Sequence, residues 1–263
     1  MRTLLVCQTE SANKFWEIDV TGTSFVVTWG KIGTAGQMKI KEFKSEEDCQ
    51  KEAGKQIRSK LKKGYVEKEA PEEWFKKSAM NEEEMWTLFQ KAKTKGEDIE
   101  EQMEWLVTVL SRKSVIDLVR FEEIFNEVYN QSYTSDLWAA AYIVMGGCSD
   151  DLFDYFRAWL LYQGKDIYYA AIKEPETIIP SLENTEKQGE MPELEDLLFL
   201  AVYAFEEKTG LEDEHFYRLQ ERLGEGIQEQ PDIELDWEEE EDQLRRRFPM
   251  LWGKYGNCPL EYK

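Results

Sequence analysis

The stretch FVVTWGKIGTAGQ, residues 25–37, carries a strand pattern that ends at a tryptophan and is followed by a glycine-rich turn. Phe25, Val27 and Trp29 are spaced by two, so they share one face of the predicted strand. The segment GTAGQ, residues 33–37, is typical of a turn that leads into a further strand. This stretch therefore predicts a strand within an antiparallel sheet.

The segments on either side extend this sheet. In KFWEIDV, residues 14–20, apolar residues alternate with Glu and Asp as in a half-buried strand, and TGTS, residues 21–24, is a turn that pairs it with the next strand. MKIKEF, residues 38–43, alternates again. Ser45 and Asp48 then resemble a capping box that begins a helix, and Gly64 ends it.

This helix has two contrasting faces. At helical spacing, one sector is apolar and is expected to lie on the sheet; it contains Cys49, Ala53, Ile57 and Leu61. The nearly opposite sector is basic and is expected to face water; it contains Lys51, Lys55, Arg58 and Lys62. Residues 1–70 are therefore predicted to form a small antiparallel sheet with one packed helix.

Beyond a charged linker at residues 71–80, residues 81–255 are predicted to be all-α, so the fold class is α+β. Asn81 with Glu84 begins the first helix, and DLWAAAYIVM, residues 136–145, is apolar on almost every side, as in a central helix. Later helices are expected at 165–173, 192–208 and 237–247, with Pro175, Pro180 and Pro192 bounding an open loop. His215 is expected on a helix surface.

The charge is divided unevenly between the two halves. The net charge is -21, yet residues 1–80 contain 15 Lys and Arg against 12 Asp and Glu, a net +3. Residues 81–263 contain 18 against 42, a net -24. An anion-binding role is therefore expected in the first half.

Other classes of site have little support in the sequence. The four cysteines are scattered and there is one histidine, so no zinc, haem or iron–sulfur spacing is present. We expect no metal and no cofactor. No apolar run reaches the roughly 18–20 residues of a membrane span, so a cytoplasmic protein without a membrane partner is expected. No oligomeric state follows from the sequence.

Trp29, Gly30 and Lys31 are the candidate binding residues of the first half. A tryptophan at a strand end is often a packing residue. An indole beside a cation and a glycine also suits nucleic acid, because the ring can stack on sugar or base while the cation meets phosphate.

A resemblance to a known family favours the nucleic-acid-binding role of Trp29. NKFWEIDV at 13–20, Trp29-Gly30, Ile-Gly-x-x-Gly-Gln at 32–37 and Lys-Gly-Tyr at 63–65 together resemble a WGR domain over residues 3–70. In poly(ADP-ribose) polymerases this domain, a small sheet with one helix, grips a DNA end: its Trp packs against sugar and its Arg contacts the backbone. The resemblance places those roles on Trp29 and Lys31. Lysine keeps the charge but not the bidentate fork of arginine.

The full set of residues expected to bind nucleic acid adds two glycines and the basic sector of the helix. These residues are Trp29, Gly30, Lys31, Gly33, Lys51, Lys55, Arg58 and Lys62. Binding is expected to be weak and sensitive to salt, with DNA as the expected nucleic acid. Nothing resembles the polymerase catalytic domain, so ADP-ribosyl transfer is not implied.

The helical half resembles the bacterial domain-of-unknown-function family 4240 over about residues 80–255. The resemblance rests on MNEEEMWTLF at 80–89, the stretch from 136 to 175 and FPMLWGKYG at 248–256. The family implies no activity.

A possible pocket of the helical half is the group Asp150, Asp151, Asp154 and Arg157. Three close carboxylates could hold a divalent cation or act as acid and base. They could equally favour the helix N-terminal dipole, with Asp154 paired to Arg157 at i, i+3. The acidic run from Glu234 to Asp242 has three interpretations. It could be a solvated face, a surface for a basic partner or a segment that lies on the basic helix.

The sequence thus predicts a protein that is not an enzyme, in which a nucleic-acid-binding module is fused to an acidic helical interaction or regulatory domain. The alternative is a protein-binding adaptor, or an immunity or antitoxin-like inhibitor, whose acidic helical domain captures a basic protein.

Overall fold

The structure, a computed structural model, describes residues 1–9, 12–32, 36–68, 80–223, 232–238 and 240–261. The chain divides into two compact units, one built mainly from Met1–Ala79 and the other from Met80–Lys113 and Leu118–Lys263. Among the described residues, no helix has the length and apolarity that crossing a bilayer requires.

The first unit is an antiparallel sheet with one helix, as the sequence predicts. Its strands, in the spatial order β4-β3-β2-β1-β5, are β1 (Arg2–Thr9), β2 (Ala12–Thr21), β3 (Ser24–Lys31), β4 (Gln37–Glu42) and β5 (Val66–Glu67). The helix α1 (Glu46–Lys62) follows β4. Ser45 caps it, because its hydroxyl accepts a hydrogen bond from the backbone N–H of Asp48 at 3.2 Å.

The face of the sheet that lies under α1 carries the main core of this unit. This core consists of Leu5, Trp16, Ile18, Val20, Phe25, Val27, Cys49 and Ala53. The opposite face is also partly covered, since Leu4, Val6 and Phe15 form a second small cluster there. The expectation that β2 is half-buried was therefore wrong: Phe15 and Glu17 are each only 3% exposed.

Only part of the apolar sector of α1 is buried. Cys49 and Ala53 are fully buried, whereas Leu61 is 42% exposed. At the last turn, Lys60 instead lies over the rings of Trp16 and Tyr65, at 5.4 and 5.2 Å from their centroids. The C-terminal turn of α1 thus places a cation, and not an apolar side chain, against this end of the sheet.

The second unit is helical. Its helices are α2 (Glu82–Ala92), α3 (Ile99–Ser111), α4 (Val115–Tyr129), α5 (Ser135–Met145), α6 (Asp150–Gln163), α7 (Lys165–Lys173), α8 (Ile179–Gln188), α9 (Leu200–Thr209), α10 (Asp213–Leu223), α11 (Glu241–Arg247) and α12 (Pro249–Leu251). The central helix is confirmed as α5, in which Leu137, Ala140 and Val144 are fully buried.

The prediction of an open loop between Pro175 and Pro192 was wrong. A 3-10 turn spans Pro175–Ile178, and α8 follows directly. Pro180 lies in the first turn of α8, where its fixed φ fits the helix and its missing N–H costs nothing. The boundaries of the next helix also differ, because a 3-10 turn at Glu195–Phe199 precedes α9. His215 on α10 is 7% exposed and is therefore not a surface residue.

The segment that precedes α11 is irregular, so the predicted helix at 237–247 begins only at Glu241. Trp237 explains this, because its indole N–H donates to the carbonyl of Ser135 at 3.0 Å and its ring packs on Tyr142. Arg247 pairs with Asp236 and with Asp136 at the start of α5. The start of the acidic run is thus held on α5, within its own unit.

The C-terminal segment that the structure describes, residues 240–261, completes the helical core. Six apolar side chains of these residues are buried: Leu244, Phe248, Leu251, Trp252, Tyr255 and Leu260. The buried carboxylate of Glu176 accepts hydrogen bonds from the N–H groups of Met250 and Leu251, at 2.6 and 3.0 Å. It therefore caps α12 from another part of the chain.

Candidate nucleic-acid interface

Trp29 lies near the end of β3, directly opposite Trp16 on β2. Because side chains alternate along a strand, its indole lies on the same face as Phe25 and Val27, the face that packs under α1. Unlike those two residues it is only partly buried. A strip of aromatic surface therefore remains open where the helix no longer covers the sheet.

Lys31 is exposed and lies two residues beyond Trp29, on the same face of the sheet. Its partner across the ladder is Lys14 on β2, while Gly30 is opposite Phe15. Two lysines thus face each other beside the indole. Like charges in directly opposed positions disfavour the pairing of the strands, so this arrangement is not one that sheet stability would select.

Two adjoining cavities open around the indole. The first, about 420 Å³, is lined by Trp16, Phe25, Val27, Trp29, Lys39, Lys41, Gln56 and Lys60. The second, about 390 Å³, is lined by Asn13, Lys14, Phe15, Trp29, Gly30, Lys31, Lys60 and Tyr65. Because they share Trp29 and Lys60, we treat them as one surface, the Trp29 groove. In the described part of the chain, no Asp or Glu lines either cavity.

Lys39 and Lys41 enter the groove through the register of β4. Lys39 is opposite Val27 and Lys41 is opposite Phe25, so both side chains lie on the face that carries the indole. Neither lysine was predicted from the sequence as a site residue. Their alternation with Met38 and Ile40 was the available signal, but it becomes informative only with the pairing of β3 and β4.

Lys60 of α1 closes the groove on the helix side. Its ammonium lies over the rings of Trp16 and Tyr65. Partial burial lowers the pKa of Lys60, and the positive charges of Lys63 and Lys14 lower it further. The lysines that line the groove therefore make it a region of positive potential.

The second glycine of the turn permits close packing at Trp29. Gly36 has φ +75, and a Cβ added there would lie 2.7 Å from the ring of Phe15 and 2.8 Å from the carbonyl oxygen of Trp29. Only glycine fits this approach without displacing backbone. Gly33, the glycine expected at the site, lies outside the described residues.

The basic sector of α1 is separate from the groove. Lys51, Lys55, Arg58 and Lys62 are exposed, as the sequence predicts. The first three of them line a different depression of about 560 Å³, which Glu42, Asp48 and Glu52 also line. Lys55 pairs with Glu52 at 3.7 Å. On the helical wheel this sector lies roughly opposite Lys60, so these four residues do not join Trp29 and Lys31 in one surface.

In the second unit, Asp154 and Arg157 form an ion pair. Arg157 is fully buried, and its guanidinium lies 3.9 Å from the ring centroid of Tyr129 and 4.7 Å from that of Tyr133. Asp150 and Asp151 are exposed in the first turn of α6, which Ser149 caps at the N–H of Leu152. The described residues contain no group of carboxylate, cysteine or histidine side chains placed to hold a metal ion.

Comparison with known proteins identifies both halves. The family model of the WGR domain matches residues 2–72. The family described as a protein of unknown function, DUF4240, matches residues 80–207. The buried C-terminal segment from Leu244 onward lies beyond that match.

Two Escherichia coli proteins share part of this chain. The uncharacterized protein YfeS is 48% identical over 67 residues, which is 26% of this chain and 28% of YfeS. The protein YehF is 40% identical over 62 residues, 24% of this chain and 23% of YehF. The chain therefore spans about a quarter of the length of these relatives.

A crystal structure of a Bacteroides fragilis protein is 37% identical in sequence, with a TM-score of 0.26, over 38% of this chain and 30% of that chain. The family matches are the finding that identifies the domains. Residues 2–72 of the chain match the WGR domain family, and residues 80–207 match DUF4240.

Proposed function

We propose that the Trp29 groove binds nucleic acid, with DNA as the expected ligand. The observation that carries this proposal is the composition of the groove: a partly open indole is surrounded by five lysines, and no described carboxylate lines either cavity. These lysines are Lys14, Lys31, Lys39, Lys41 and Lys60.

The two chemical parts of the groove suit the two parts of a nucleotide. The open part of the Trp29 indole offers a flat face on which a sugar or base can stack, worth about 1–3 kcal/mol for a stacked base. Lys31 and Lys14 lie beside one edge of this face, and Lys39 and Lys41 lie along the neighbouring strand. Phosphates along a bound strand would therefore meet ammonium groups on both sides of the indole.

Clustered lysines also point to a polyanion. Five ammonium groups line the groove, and a bound phosphate would neutralise part of their charge. If the lysines neutralise about four phosphates, the logarithm of the affinity for duplex falls with the logarithm of salt concentration with a slope near -3.6. Affinity would then drop about tenfold for each doubling of salt. Binding of this kind is sequence-independent and weak at physiological salt.

The test is fluorescence anisotropy with labelled blunt duplex, nicked duplex and single-stranded DNA at 50 mM salt, with RNA of the same sequences. We expect Trp29→Ala and Lys31→Ala each to weaken binding several-fold and the double variant to abolish it. The matched control is Lys55→Ala with Arg58→Ala, which removes two charges from the separate surface of α1. Equal losses in the double variant and the control would refute binding at the groove.

We further propose that the helical half supplies a second interaction or restrains the first. Its support is the charge: residues 81–263 carry a net -24 on the same chain as a cationic groove. Screening over about 8 Å at physiological salt limits this repulsion to short range. A higher affinity of residues 1–75 than of the full chain would indicate a brake, whereas equal affinities would leave the helical half with a separate role.

The second candidate role, an adaptor that captures a basic protein, is supported by the same negative charge, which would steer a cationic partner. An immunity or antitoxin-like inhibitor belongs to this class. Isolation of the full-length protein with its native partners separates the candidates, because nucleic acid would accompany the first and one basic protein would accompany the second.

A further inference from the structure

The three most exposed aromatic rings in the described part of the chain lie together on the second unit. Phe199, Tyr203 and Tyr217 are 36%, 39% and 38% exposed. Phe199 and Tyr203 are one turn apart, with ring centroids separated by 6.0 Å. Tyr217 is on α10, the helix that packs against α9 through Phe205 and Phe216. We name these three rings the aromatic patch.

The packing of α9 against α10 does not depend on these three rings. Beneath them, Phe205 and Phe216 are fully buried and pack at 5.5 Å. The helices are thus joined without the outer aromatics. Exposed aromatic surface of this kind, grouped in one place, is more typical of a binding surface than of a solvated helix face.

Carboxylates surround the aromatic patch. Burial raises the pKa of Tyr203, and the negative charges of Asp196, Glu195 and Glu206 raise it further. Burial also raises the pKa of Tyr217, with contributions from Glu122, Asp213, Glu206 and Tyr203. The charge of Glu206 raises the pKa of both phenols, so this carboxylate lies near Tyr203 and Tyr217. Asp196 and Asp213 are exposed on the rim of the aromatic patch.

The cations of these helices are engaged with other groups. Lys208 donates to the backbone carbonyl of Ser111 at 2.9 Å, and Arg218 pairs with Glu214. Between residues 195 and 217 there are seven Asp and Glu and one Lys. The aromatic patch therefore lies in a part of the chain with more carboxylates than cations, even with the Glu214–Arg218 pair counted.

We propose that the aromatic patch and its acidic rim bind an arginine-rich segment of a partner protein. Guanidinium groups stack on aromatic faces and pair with carboxylates in a planar, bidentate geometry, so this combination of groups selects arginine over lysine. The aromatic patch lies outside residues 2–72. Arginine binding by this patch can therefore be tested independently of nucleic-acid binding by the Trp29 groove.

Calorimetric titration of the full-length protein with two synthetic peptides tests the proposal. Each peptide is ten residues long and capped at both ends, with five arginines in one and five lysines in the other, and the spacer residues are glycine and serine. We expect the arginine peptide to bind several-fold more tightly than the lysine peptide. Tyr203→Ser with Tyr217→Ser keeps every charge, and this variant should weaken arginine-peptide binding about tenfold, as loss of two exposed cation–π contacts implies.

Two controls make the result specific. Tyr203→Phe with Tyr217→Phe keeps both rings and should retain binding, which would show that the rings and not the hydroxyl groups are needed; thermal denaturation of the serine variant checks that it is folded. Asp196→Asn with Glu206→Gln removes two charges from the rim and should weaken binding, whereas Glu240→Gln with Glu241→Gln removes two charges elsewhere and should not. The proposal is overturned if the arginine peptide does not bind at millimolar concentration, or if it binds the serine variant and both charge variants as it binds the natural protein.

Discussion

Lys14 and Lys31 lie directly opposite each other on β2 and β3, at the edge of the open indole of Trp29. A sheet gains nothing from this pairing, because two ammonium groups in opposed positions repel each other. The arrangement is expected where a polyanion binds, and it carries a cost in the unbound protein.

The first prediction concerns the repulsion between Lys14 and Lys31. Lys14→Gln should raise the free energy of unfolding of the WGR domain by about 0.5 kcal/mol at low salt, since it removes one member of a repelling pair. The same variant should weaken nucleic-acid binding. Thermal denaturation at 20 mM and 500 mM salt measures the effect, and the gain should shrink at the higher salt as screening increases. A loss of stability at both salt concentrations would argue against repulsion at this pair.

Gly36 provides a steric prediction with an internal control. Gly36→Ala places a methyl group against Phe15 and the carbonyl oxygen of Trp29, and should destabilise the domain by about 2–4 kcal/mol. Gly22 also has a positive φ, +53, but a Cβ there meets nothing within 4 Å. Gly22→Ala should therefore cost only about 1 kcal/mol of backbone strain. Urea denaturation of both variants compares them, and equal losses would mean that the packing at Gly36 is not tight.

The pair Asp154–Arg157 is predicted to be structural. Asp154→Asn removes the partner of a fully buried guanidinium and should lower the free energy of unfolding by about 2 kcal/mol. Asp150→Asn and Asp151→Asn are exposed controls and should change it by less than about 0.5 kcal/mol. A divalent cation that raises the melting temperature of the natural protein, with the effect lost in Asp151→Asn, would instead indicate an ion site.

Glu176 tests the role of the C-terminal segment. Glu176→Ala leaves the N–H groups of Met250 and Leu251 without their carboxylate acceptor and should cost about 2 kcal/mol. Glu174 is exposed two residues earlier, and Glu174→Ala should be nearly neutral. Chemical denaturation followed by tryptophan fluorescence reports the loss, because Trp252 lies in the same buried segment. Equal free energies of unfolding for Glu176→Ala and Glu174→Ala would show that the cap contributes nothing.

The sequence predicts the sheet and α1 because alternation, turn residues and a capping box all agree over residues 12–64. It predicts Trp29 and Lys31 together because two residues on one strand share a face. It misses Lys39 and Lys41 because their face depends on the register between β3 and β4, and it misses Lys60 because that residue reaches the groove only through the packing of α1. Long-range pairing of this kind has no local signal.

The basic sector of α1 was predicted to be exposed, and it is. Its separation from Trp29 depends on which face of the sheet α1 covers, and the local sequence does not give that face. The prediction of an open loop at Pro180 was wrong because proline is favoured in the first turn of a helix.

The decisive measurement for the Trp29 groove is the salt dependence of duplex DNA binding by the full-length protein. We expect a log–log slope near -3.6, reduced in magnitude by about 0.9 in each of Lys31→Ala and Lys39→Ala and unchanged in Lys55→Ala with Arg58→Ala. A slope that falls in the Lys55 and Arg58 variant but not in the two groove variants would contradict it.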